Sequence, residues 1–104
     1  MRVLFHIPGA LREFTGGRSP VEIACPEGTV ATALEELWKR FPGVRDRVAD
    51  EQGQVRQHIN IFLGEENVRY TGGLATPVLA DSEISIVPAV SGGSGIASNL
   101  LREK

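Results

Sequence analysis

Cysteine is almost missing from this chain: Cys25 is the only one in 104 residues. No intrachain disulfide can form and no cysteine cluster can hold a metal, which excludes a disulfide scaffold and a zinc ribbon. There is also no apolar run near the roughly 18 residues that a membrane span needs. Met1 leads straight into a strand pattern instead of a signal peptide. Neither charge dominates, because 11 Lys and Arg against 13 Asp and Glu leave a net −2 with both signs interspersed. That balance gives no electrostatic footprint for nucleic acid or for an anionic membrane. His6 and His58 have no sequence neighbours that complete a ligand set or a base pair, so no metal site is expected. A cytoplasmic location is the resulting expectation. The lone Cys25 ends the run "VEIAC" before Pro26, a setting that favours a small packed residue over a nucleophile.

What is present is the composition of a globular protein, 41% hydrophobic and 23% charged, at a length that suits one domain with a single core. In "RVLFHIP", Val3, Phe5 and Ile7 alternate with Arg2, Leu4 and His6, the pattern of a strand with one core face. Gly16-Gly17 then supplies a turn, and "PVEIAC" reads as the second strand of a hairpin with a long loop. The period changes in "TVATALEELWKRF", where Val30, Ala33, Leu34, Leu37, Trp38 and Phe41 form the stripe of an amphipathic helix. Thr29 is its expected N-cap, and Pro42-Gly43 is expected to stop it. "VRDRVADEQGQVRQ" predicts a helical turn or two and a surface loop. "HINIFLG" alternates again, "EENVRY" reads as a short strand or edge, "TGGLATPVLAD" is turn-rich, and "EISIVPAV" is the last strand with Ile84 and Ile86 inward.

Two strands, one helix and two or three further strands make an α+β domain, since one helix covers only one face of a sheet. A β-grasp fold is expected: a mixed four- to five-stranded sheet, one main helix across one face, and a flexible C-terminal tail. The opposite face is then open, and Leu4, His6, Phe62 and Val87 are expected on it as a docking surface for a partner. The last stretch, "VPAVSGGSGIASNLLREK", poses the functional question. From the residues alone, Gly92-Gly93 is either an ordinary linker or a thin end that something must reach. Ile96, Leu100 and Leu101 are at helical spacing, so residues 96–104 could instead fold back as a short helix on the open face.

The runs "LREFTGG", "EGTVATALEELWKRFPGVRDRV" and "NIFLGEENVRYTGGLATPVLADSEISIVPAVSGG" resemble the ubiquitin-like sulfur-carrier family, which includes the small subunit of molybdopterin synthase and the thiamine sulfur carrier. Within it the similarity is greatest to carriers that serve cysteine biosynthesis. The resemblance implies a carrier and co-substrate that is not itself an enzyme and binds no cofactor. It implies that the Gly93 carboxyl is adenylated with ATP by an E1-like activating enzyme, which then uses a sulfide source to leave a thiocarboxylate. Further implied partners are a pyridoxal-phosphate (PLP)-dependent cysteine synthase and a zinc (JAMM-type) metalloprotease.

Gly93 is followed by residues 94–104, so the implied role requires cleavage at the Gly93/Ser94 junction. The expected organisation is a β-grasp domain over 1–90 and a tail over 91–104 that carries Gly92, Gly93 and the cleavable extension 94–104. Residues 89–93 would extend roughly 17 Å, enough to carry the reactive end clear of the body. Two alternatives belong to other classes: a ubiquitin-like binding module with its tail folded back, and a modifier joined to other proteins through Gly93.

Overall fold

The computed structural model describes residues 1–89. Strand β1 (Arg2–His6) has the expected alternation, with Val3 and Phe5 fully buried and Leu4 and His6 half-buried on the other side. A 3-10 helix over Gly9–Thr15 fills the following loop, and Gly16 and Gly17 turn the chain at φ 68° and 80°, where a side chain would be strained. Strand β2 (Val21–Ala24) then pairs antiparallel with β1, completing the expected hairpin.

After β3 (Gly28–Thr29), the amphipathic stripe forms α1 (Val30–Arg40). The Thr29 hydroxyl oxygen accepts from the Thr32 N–H at 3.4 Å, as expected of the N-cap. Val30, Ala33, Leu34 and Leu37 are buried, while Trp38 and Phe41 pack half-buried at the margin of the core. The helix stops at Phe41, which has φ −136° and ψ 74° because the following proline disfavours helical geometry. Pro42 does more than end a helix. It is the first residue of α2 (Pro42–Val48), where its missing N–H is not needed, and α2 buries Val44 and Val48.

The second half comprises β4 (Ile59–Leu63), β5 (Glu66–Asn67), 3-10 turns at Val68–Tyr70 and Gly73–Ala75, β6 (Pro77–Val78) and β7 (Glu83–Pro88). Only Glu66 and Asn67 of "EENVRY" are strand. The Asn67 side-chain oxygen accepts from the Arg69 N–H at 3.0 Å and turns the chain, a local bond that competes with the ladder. The pairing of β3 with β6 in a separate two-stranded sheet was not foreseeable from alternation, since each strand is two residues long.

The main sheet has the order β2-β1-β7-β4-β5, with β1 and β7 parallel and the other pairs antiparallel. Val3, Phe5, Ile7, Ile23, Ile61, Ile84 and Ile86 form one core with the buried stripes of α1 and α2. The expected mixed sheet of four to five strands has five, with the expected main helix α1 on one face and the shorter α2 beside it. Among the described residues no helix is long and apolar enough to cross a membrane. Gly92, Gly93, Ser94, the expected domain boundary and the folded-back helix lie outside the described residues.

Candidate functional site

The strand registers decide which side chains share the open face. His6 pairs with Ser85, Ser85 with Phe62, and Phe62 with Asn67, so these four form one row across β1, β7, β4 and β5. On one side of that row lie Leu4 and Glu83, which pair with each other, and on the other side lie Val87 and Asn60. Leu4, His6, Phe62 and Val87 are therefore on one face, as the alternation predicts. They do not make a continuous apolar patch. Ser85 separates His6 from Phe62, and Nε2 of His6 is 2.6 Å from Oε1 of Glu83. Asn67 Nδ2 donates to Asn60 Oδ1 at 3.2 Å. Three apolar side chains thus stand among Ser85 and two polar pairs, His6–Glu83 and Asn60–Asn67, with Val87 41% exposed.

The face is polarised along its length. Where β7 begins, Gly64, Glu65, Asp81, Glu83 and Ser85 line an open groove, and Arg2 lies 3.5 Å from Glu22 and 3.4 Å from Asp81. Where β7 ends, a groove of about 360 Å³ is lined by His6, Pro8, Arg12, Ser19, Val87 and Pro88. Arg12 Nε donates to the Ile7 carbonyl at 3.0 Å, which fixes the side chain at the groove's rim.

The sheet releases β7 one neighbour at a time. The β1 ladder ends opposite Ser85, whereas the β4 ladder continues to the pair Ile59–Pro88. One residue on, the Ala89 N–H donates to the His58 carbonyl at 2.6 Å. The central strand thus leaves the sheet at Ala89, the last of the described residues, beside the groove that holds Arg12.

Cys25 is not part of this surface. The residue is 4% exposed, and Sγ donates weakly to the Ile23 carbonyl at 3.7 Å. Burial pushes its thiol above the ordinary value, with the Glu36 carboxylate adding to the effect. That environment suits an inert packed thiol. No group of His, Cys, Asp and Glu among the described residues is arranged to hold a metal ion.

Ser85 and Asn60 join this face through the alternation of "EISIVP" and "HINIFLG", a signal present in the sequence although the expected docking set does not include them. Arg12 carried no such signal, because its place at the tail's root comes from a 3-10 loop. Tyr70 and Leu79, 81% and 75% exposed, sit in the turn-rich second half where strand periodicity says nothing.

The ThiS family model matches residues 5–93, from the first core strand to Gly93. The sulfur carrier protein CysO of Mycobacterium tuberculosis is 34% identical over 95 residues, covering 89% of this chain and 100% of that protein. A chain in the crystal structure of the Amycolatopsis orientalis BexX/CysO complex superposes with a TM-score of 0.75 at 32% identity, covering 88% of this chain and 99% of its own length. SAMP1 from Haloferax volcanii, a small archaeal modifier protein, gives a TM-score of 0.76 at 28% identity, covering 89% of this chain and 100% of that one. The fold is β-grasp, and the chain belongs to the ThiS family of ubiquitin-like sulfur carriers.

Proposed function

We propose that this protein is a sulfur carrier whose Gly93, freed by removal of residues 94–104, is adenylated and converted to a thiocarboxylate that donates sulfur, most directly for cysteine biosynthesis. The observation that carries this reading is the similarity to CysO, which extends over that carrier's whole length. The body contributes no catalytic group. Its work is to dock and to present an end.

Cleavage of the Gly93/Ser94 peptide bond by a zinc metalloprotease supplies the carboxylate. An adenylating partner transfers AMP from ATP to that carboxylate, pyrophosphate leaves, and a sulfide equivalent attacks the acyl carbon and expels AMP. The thiocarboxylate sulfur then serves as the nucleophile in a partner synthase that holds PLP. Leu4, Phe62 and Val87 provide apolar contacts on the open face, while His6 and the paired polar groups around them set orientation. With the root fixed at Ala89 by its bond to His58, residues 89–93 reach roughly 17 Å into the partner. A pair of glycines lets that end pass a narrow channel and take backbone angles closed to other residues. Holding the adenylate inside the partner limits its loss to water.

The test is intact mass measurement on the protein from its own cells. The reading expects a chain ending at Gly93 and a fraction heavier by about 16 Da, where sulfur has replaced oxygen at the activated carboxyl. A population that is entirely full-length and never thiolated would overturn it. The similarity to SAMP1 favours a second reading, a modifier joined through Gly93 to lysines of other proteins. Isopeptide remnants of the Gly93 end on other proteins, without thiocarboxylate, would select that reading.

A further inference from the structure

The chain carries 11 cationic Lys and Arg residues, yet only two of them, Lys39 and Lys104, are lysines. Lys104 is in the extension, so the form that ends at Gly93 has a single side-chain amine. This matters for a protein whose end becomes an acyl adenylate. A neutral primary amine attacks such an anhydride as sulfide does, whereas a guanidinium stays protonated and inert.

Lys39 is in the last turn of α1, on the side away from the buried Val30, Leu34 and Leu37. Its side chain is 72% exposed, and Nζ donates to Glu36 Oε2 at 3.0 Å, which holds the amine over the helix surface. The helices cover one face of the sheet and the candidate docking face is the other, so the amine and the partner-facing side chains point in opposite directions. The amino group of Met1 is placed differently: it is part-buried and donates to the Cys25 carbonyl at 2.7 Å.

We infer that Lys39 is the isopeptide acceptor of this protein, where the activated Gly93 of one copy is transferred to a second copy when sulfide is scarce. The inference rests on the activation of Gly93 proposed above. In the step, Lys39 Nζ as the neutral amine bonds to the Gly93 acyl carbon, the bond to AMP breaks, and the amine's extra proton passes to solvent. Because Lys39 faces away from the docking side chains, an acceptor copy keeps its own face and tail available and can be activated in turn. Linkage is therefore uniform, from Gly93 to Lys39, and repeats into short chains.

The experiment incubates protein trimmed to Gly93 with an E1-like adenylating enzyme and magnesium ATP, with and without sulfide. Trimming leaves in place every core residue among the described residues. Without sulfide the expected product is a denaturation-resistant dimer formed with loss of one water. Trypsin should release from it a branched peptide, residues 19–40 carrying residues 70–93 on Lys39. Sulfide should suppress the dimer in favour of thiocarboxylate, and Lys39→Arg should abolish it while, with sulfide present, pyrophosphate release runs at the parent rate. Linkage at Met1 or at a hydroxyl, a dimer that survives Lys39→Arg, or an adenylate that yields no dimer at any protein concentration would each overturn the acceptor assignment alone. Absence of pyrophosphate release would overturn the carrier reading and this inference together.

Discussion

From the same three strands, β1, β4 and β7, the covered face takes Val3, Phe5, Ile61 and Ile84 out of water, whereas the open face leaves Leu4, Phe62 and Val87 partly in it. Period-two alternation sorts both sets, but the helices pack against only one. Residue choice on the covered face is therefore answerable to this chain's own folding. On the open face, folding tolerates almost any side chain that suits a strand, so under the proposed function the apolar residues there are free to serve a partner's surface.

Cutting one phenylalanine from each side separates the two faces most directly. Phe5→Ala empties a fully buried site in the core and should lower stability by about 3–5 kcal/mol. Phe62→Ala should shift stability by under about 1 kcal/mol yet weaken docking to the adenylating partner on the order of tenfold. Denaturant titration and affinity measurement on the two variants give the four values. Equal losses of stability, or docking untouched by Phe62→Ala, would show that the two faces do not divide the work in this way.

A smaller effect probes how the covered side is closed at its margin. A Cβ on Gly43 would come within 2.5 Å of the Phe14 ring, because the 3-10 helix Gly9–Thr15 lies tight against the start of α2. Gly43→Ala gains up to about 1 kcal/mol of helix propensity but forces the ring to move, at about 1–3 kcal/mol. The net expectation is a loss near 1 kcal/mol by thermal or denaturant unfolding. With Phe14 also cut to alanine the clash is gone, so the double variant should be less destabilised than the two single losses added together.

These positions also mark how much of the fold is legible in the sequence. The alternation in "RVLFHIP" and "EISIVPAV" placed Val3, Phe5, Ile84 and Ile86 inward and Leu4, His6 and Val87 outward, because period-two burial is a local property of a strand. Thr29 as N-cap and the stop at Phe41 were legible for the same reason: capping and proline geometry act over three or four residues. The contact between Gly43 and Phe14 was not legible, since it joins residues far apart in sequence. Nor was the β3–β6 pair, whose two-residue strands have no period, or Arg12, which reaches the tail's root only through the 3-10 loop. The polar pairing His6–Glu83 escaped because it crosses from β1 to β7, a parallel neighbour set by topology.

The smallest expected effect is a pH dependence on the covered face. The buried Cys25 thiol has its ionisation pushed up, so the folded chain holds this proton more tightly than the unfolded chain does. Its contribution to stability is fully present below the ordinary thiol value of roughly 8.5 and is lost as pH rises through the higher folded value. Denaturant midpoints should therefore fall more steeply above roughly pH 8.5 in the parent protein than in Cys25→Ala. The difference between the two curves isolates this thiol from other groups that titrate there. Native Cys25 should also resist alkylation at neutral pH until the chain unfolds. Matching slopes above that pH, or fast alkylation of the native protein, would place Cys25 with the open surface and leave the two faces less different than their burial implies.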